Sequence, residues 1–174
     1  MKNALCLATS VVAVLALSPP SAAQEMDASA GQSYLDLGIG AYDIFDNDDS
    51  SMDYRIEYTH GTPFFWKLQP FAAFEATGDG SVWAGGGVKA DFMLAPNIYL
   101  APSLGAGLYA QGGSDKDLGS ALEFRTQIEG GYQFMNGHRV GVSLSHMSNA
   151  DIGDHNPGAE MLNVYYHIPV NDLF

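Results

Sequence analysis

The chain has 174 residues, 47% of them hydrophobic, with one Cys and a formal net charge of −13. That length suits one ordinary domain, and the acidic balance excludes nucleic acid as a partner, because phosphate neutralisation needs basic residues. A lone Cys leaves no intrachain disulfide to form.

The first element in chain order is a leader. Lys2, the apolar run Ala4 to Leu17, the break at Pro19 and Pro20, and the small residues Ser21, Ala22 and Ala23 read as a secretory signal over residues 1–23. A run of 14 residues is short of the ~20 that a spanning helix needs. Cys6 leaves with the signal, so residues 24–174 form a single cysteine-free domain with a net charge of −14.

Period-2 alternation recurs through that domain, with Gly, Asn, Asp and Pro between the runs, and helical periodicity is missing. Eight segments follow, about 33–45, 52–59, 64–76, 82–94, 98–110, 121–134, 139–149 and 160–170. In the sixth, Leu122, Phe124, Thr126, Ile128, Gly130, Tyr132 and Phe134 form one row, and Glu123, Arg125, Gln127, Glu129, Gly131 and Gln133 the other. Eight such segments make a small closed barrel. The joints alternate between loops ("DNDDSS", "TGDGS", "QGGSDKDLGS", "NADIGDHNPGA") and tight turns ("HGTP", "APN", "MNGH"). Asn136-Gly137 predicts a type I′ hairpin.

Short turns at one end and long loops at the other match an outer-membrane barrel. Glu123, Arg125, Gln127 and Glu129, together with Asp53, Arg55 and Glu57, would then pair across a polar interior. Gly85, Gly87, Gly105 and Gly107 give those side chains room, while Tyr54, Tyr58, Phe64, Trp66, Phe92, Tyr132 and Phe134 supply interfacial girdles. The terminal Phe174 resembles the end signal of outer-membrane proteins, although Asp172 departs from it. The expected fold is an all-β, eight-stranded antiparallel transmembrane barrel of the bacterial outer membrane. A soluble lipocalin-like lipid binder would instead turn the apolar rows inward.

Acidic residues cluster in the loops: Asp43, Asp46, Asp48 and Asp49; Asp115 and Asp117; Asp151 and Asp154. They read as solvated surface, and "DNDDSSMD" lacks the Gly and Glu spacing of a calcium loop. His60, His138, His155 and His167 show no paired metal spacing. No metal or cofactor is expected.

The final hairpin breaks the pattern. Val140, Val142 and Leu144 run on to His146 and Ser148, and Glu160 precedes Leu162, Val164, Tyr166, Ile168 and Val170. All three polar residues fall on the lipid-facing side, where polar groups cost free energy. The chemistry supplies a reason. His146 and Ser148 project in parallel from alternate residues, about 7 Å apart at Cα, so the imidazole can take the hydroxyl proton. Glu160 on the neighbouring strand can hold the other ring nitrogen, in a register that the sequence leaves open.

"HMSNA" followed by "NPGAE" resembles the PagL family of lipid A 3-O-deacylases. The resemblance implies an eight-stranded outer-membrane barrel with its active site on the outer wall, on the extracellular-leaflet side. The substrate it implies is lipid A of lipopolysaccharide among the outer-membrane lipids. His146, Ser148 and Glu160 match the family's base, nucleophile and orienting acid. Asn149 and Asn156 match asparagines of the motif, to support an oxyanion or order the loop. Asp151 departs by placing an acid where a small residue is expected. The resemblance also suggests a homodimer. A non-enzymatic structural barrel is the competing reading, and it has no use for the three polar residues.

Overall fold

The strand Ser51–Thr59 shows how the wall is built. Asp53, Arg55, Glu57 and Thr59 are buried, while Met52, Tyr54, Ile56 and Tyr58 on alternate positions are exposed. Charge faces the centre and apolar surface faces out, the reverse of a lipocalin-like container, and this is the arrangement a bilayer demands. The computed structural model describes residues 31–45, 50–113, 116–170 and 173. The expected signal segment, residues 1–23, and Asp46, Asp48, Asp49, Asp115, Asp172 and Phe174 lie outside the described residues.

The strands are β1 (Tyr34–Tyr42), β2 (Ser51–Thr59), β3 (Leu68–Thr77), β4 (Val82–Ala90), β5 (Phe92–Ala95), β6 (Ile98–Ala110), β7 (Leu122–Gln133), β8 (Arg139–Ser148) and β9 (Ala159–Pro169). Each pairs antiparallel with its neighbours, and β1 pairs with β9 to close the sheet. β4 and β5 are one stave interrupted at Asp91: both pair with β6, in the same register on each side of the break until a shift between Met93 and Ala95. The wall therefore has eight staves, as the alternation implied. Arg139 lies against the break, with Nη1 donating to Asp91 Oδ2 at 2.8 Å.

Two turns differ from expectation. The third segment was expected to begin at residue 64, but Phe64, Phe65 and Trp66 belong to the connection, where Phe64 N–H donates to Leu68 O and Leu68 N–H to Phe65 O. Trp66 sits at φ +50 there, which ends the alternation that the sequence appeared to carry through. The hairpin at Asn136 is not type I′, because only Gly137 has positive φ (+86). Phe134 and His138 bracket a three-residue loop, the type I turn with a left-handed glycine that ranks next in frequency.

The interior is filled by paired charges. Arg55 reaches Asp53 at 2.7 Å and Glu75 at 3.0 Å, and Arg125 reaches Glu57 at 2.6 Å and Glu75 at 3.1 Å. Towards the turn end, His167 lies between Asp36 at 2.8 Å and Glu129 at 2.7 Å, with Lys89 on Asp36 at 3.2 Å. Gly85 and Gly107 are needed where they stand, since a Cβ at either would come within 2.6 Å of the Trp83 ring. That indole lies under Arg125 at 4.8 Å. Towards the loop end Tyr42, Trp83, Tyr109, Leu118, Met147 and Met161 form an apolar cap. Leaving one member of such a network without its partner costs about 3–5 kcal/mol, so the network fixes which row faces inward.

Candidate active site on the outer wall

The outward row of β8 runs Val140, Val142, Leu144, His146, Ser148, and that of β9 runs Glu160, Leu162, Val164, Tyr166. Register settles what the sequence left open: His146 lies directly opposite Glu160, and Leu144 opposite Leu162. His146 Nδ1 and Glu160 Oε1 are 3.0 Å apart, with side chains 46% and 32% exposed to the outside. The carboxylate thus takes Nδ1 and leaves Nε2 for another partner.

That free edge of the ring turns towards Gly158, where a Cβ would fall 2.8 Å from His146 Cε1 and 3.5 Å from Nε2. Gly158 has φ +69, a conformation that side chains resist. Glycine is required here both for backbone conformation and for ring clearance. Ser148 stands one outward position beyond His146, opposite Phe124 of β7. Among the described residues no hydrogen bond joins Ser148 to His146. Catalytic contacts of this kind often tighten only around substrate.

The loop 149–158 is braced from beneath. Asn149 is wholly buried. Its Nδ2 donates to Leu118 O and to His155 O, both at 2.7 Å, so both amide hydrogens are spent and the residue orders the loop rather than facing a substrate. Asn156 folds back over the backbone that follows Ser148, its Oδ1 accepting from Asn149 N–H at 3.1 Å and its Nδ2 donating to Asp151 Oδ1 at 3.1 Å. Asp151 therefore has a structural place. Ala150 (φ +54) and Asp151 (φ +62) are the two central residues of a type I′ turn closed by Ile152 N–H to Asn149 O at 3.1 Å. Asp enters the left-handed region more readily than most residues. Ala does not, so the turn carries strain that its bonded surroundings hold.

Two hollows lie on the outer wall along the β7–β8 seam. One of about 330 Å³ is lined by Thr126, Ile128, Leu144, His146 and Glu160. The next along the same strands, about 580 Å³, lies over Gly130 between Tyr132, Val140 and Val142. Gly130 opens that floor, since a Cβ there would have only Tyr99 O, at 3.8 Å, within contact range.

Sequence reasoning named His146, Ser148, Glu160, Asn149 and Asn156, and the fold gathers all five at one end of one hairpin. Gly158 and Thr126 went unassigned. Thr126 sits within an otherwise apolar row, and like His146 it is a polar side chain in a lipid-facing row. Among the described residues no group of three or more His, Cys, Asp or Glu side chains is arranged to hold a metal ion.

An antiparallel eight-stave wall with a charged, filled interior and an apolar exterior defines a transmembrane β-barrel of the outer-membrane type. Within that class the family model described as lipid A 3-O-deacylase (PagL) matches residues 52–169, and the chain belongs to that family. The lipid A deacylase PagL of Pseudomonas aeruginosa is 43% identical over 56 residues, 32% of each chain. That of Bordetella bronchiseptica is 29% identical over 89 residues, 50% of each chain. The matches thus span about a third and a half of these relatives. The fold is similar to the crystal structure of the outer membrane enzyme PagL, with TM-score 0.61, 23% identity, 78% of this chain and 99% of that one covered. It is also similar to a de novo designed transmembrane β-barrel, with TM-score 0.54, 10% identity, 79% of this chain and 96% of that one covered.

Proposed function

We propose that the protein is an outer-membrane lipid A 3-O-deacylase, a serine esterase in which Ser148 is the nucleophile, His146 the base and Glu160 the orienting acid. The observation that carries the reading is the His146–Glu160 pair at 3.0 Å, bonded on the outer wall beside Ser148 in a chain of this family. Polar groups facing lipid are costly, and catalysis is a function that repays the cost.

In the reaction His146 Nε2 takes the Ser148 proton as Oγ attacks the carbonyl carbon of the 3-linked acyl ester. The tetrahedral oxyanion collapses and the sugar oxygen leaves, taking the proton from the imidazolium. Water, deprotonated by the same nitrogen, then releases the fatty acid and restores Ser148. Glu160 holds the tautomer and stabilises the imidazolium. Asn156 Nδ2 has a second hydrogen beyond the one given to Asp151, and it supports the oxyanion, where one donor is worth ~10² to 10³ in rate. The hollows along β7 and β8 take the acyl chain.

The loops at the site's end face outward from the cell, so the substrate reaches Ser148 sideways from the outer leaflet. The signal segment delivers the chain across the inner membrane. The test is mass spectrometry of lipid A after incubation with detergent-refolded protein, wild type beside Ser148→Ala. Loss of one acyl chain with wild type alone is expected. Unchanged lipid A with both, from verified barrels, overturns the proposal in favour of a structural barrel.

A further inference from the structure

The outward row of β7 reads Leu122, Phe124, Thr126, Ile128, Gly130, Tyr132. The Thr126 hydroxyl interrupts the apolar stretch of that row. The β6 neighbour of Thr126 is Leu104, and its β8 neighbour is His146. Thr126, His146 and Glu160 thus form one polar line across three strands, with Thr126 on the side of the imidazole away from the carboxylate. The bond from Thr126 Oγ1 to His146 O is 3.5 Å long, at the outer limit of hydrogen bonding, and the side chain is exposed to the outside. The hydroxyl borders the same hollow as His146 and Glu160.

Resting on the esterase reading above, we propose that Thr126 is a specificity residue whose hydroxyl hydrogen-bonds a hydroxyl on the third carbon of the acyl chain, which makes 3-hydroxyacyl esters the preferred substrates. An ester held at Ser148 lies level with Phe124. Its chain enters the seam towards the apolar middle of the wall and passes the Thr126/His146 pair first, then Ile128/Leu144, then Gly130/Val142. The first of these steps is two residues, about 6.6 Å at ~3.3 Å per residue. Two carbon–carbon bonds, one carbon–oxygen bond and a hydrogen bond of about 2.8 Å span that step. A 3-hydroxyl therefore falls level with Thr126, and elsewhere along the seam it would meet only apolar side chains. A site that pairs a substrate hydroxyl discriminates against the analogue lacking it.

The test uses 4-nitrophenyl esters of myristic acid and 3-hydroxymyristic acid in the same detergent micelles, with wild type, Thr126→Val and Thr126→Ser. Valine keeps the shape and points to lipid, so the barrel should fold. Thr126→Val is expected to lower kcat/KM for the hydroxylated ester about 5- to 10-fold relative to the plain ester, and Thr126→Ser to restore that ratio. Equal losses on both esters would assign Thr126 to support of the His146 backbone and overturn the inference, as would no loss on either. Hydrolysis of neither ester by a folded wild-type barrel would overturn the esterase reading as well.

Discussion

Polar side chains occur in two regions of this barrel, and the two obey different rules. Inside, Arg55, Arg125, Lys89 and His167 are each paired with buried carboxylates at 2.6–3.2 Å. On the outer wall the line Thr126, His146, Glu160 and the adjacent Ser148 has one short internal bond, between His146 and Glu160. Its remaining hydrogen-bonding capacity faces away from the protein. The interior groups turn towards one another and specify the fold, whereas the outer line is left open towards the lipid side, as the proposed esterase requires.

Substitutions that act on one region and spare the other can break that distinction. The largest effect on turnover per folded barrel is expected from Ser148→Ala, a loss of at least about 10⁴-fold in kcat with the heat-modifiable gel mobility of a folded barrel retained. His146→Asn should fall as far, and Glu160→Ala less far. A Glu160→Ala enzyme with full turnover would remove the acid from the assignment. Gly158→Ala comes next. Its Cβ would meet the imidazole edge at 2.8 Å, and a misplacement near 1 Å costs about 10² in rate, so kcat should drop with little change in KM. Asn149→Ala deletes two bonds from beneath the loop and should cost turnover about tenfold or less, with faster proteolytic nicking between residues 149 and 158. Arg125→Met is the reverse case. It removes the ion-pair partner of Glu57, should cost about 3–5 kcal/mol in urea unfolding within lipid vesicles, and should leave kcat of the folded fraction unchanged. A large kcat loss there would show that the two regions are coupled.

The sequence carried the parts of this structure that repeat. Alternation alone placed Asp53, Arg55 and Glu57 on one face, counted eight staves, and made His146, Ser148 and Glu160 visible as exceptions. Features set by single contacts across the barrel were not legible. Asp91 looks like one more strand residue until Arg139, 48 positions away, is brought beside it. Asn149 could be read as a catalytic donor until folding placed Leu118 and His155 against its amide. Phe64 and Trp66 fall in step with the outward row that Leu68 continues, yet the left-handed backbone at Trp66 lies below the level that hydropathy reports. The register placing Glu160 opposite His146 was likewise invisible, because strand patterns fix faces but leave offsets open.

Placing the chemistry on the wall also changes what concentration means for this protein. A pocket in the lumen would sample molecules dissolved in water, whereas the proposed triad, facing the leaflet, would sample a two-dimensional mixture. Its rate should therefore follow the mole fraction of substrate among all lipids in the surface rather than its amount per volume. Inert lipid would act as a diluent, and any amphiphile that packs over Gly130 and Leu144 would act as a competitor.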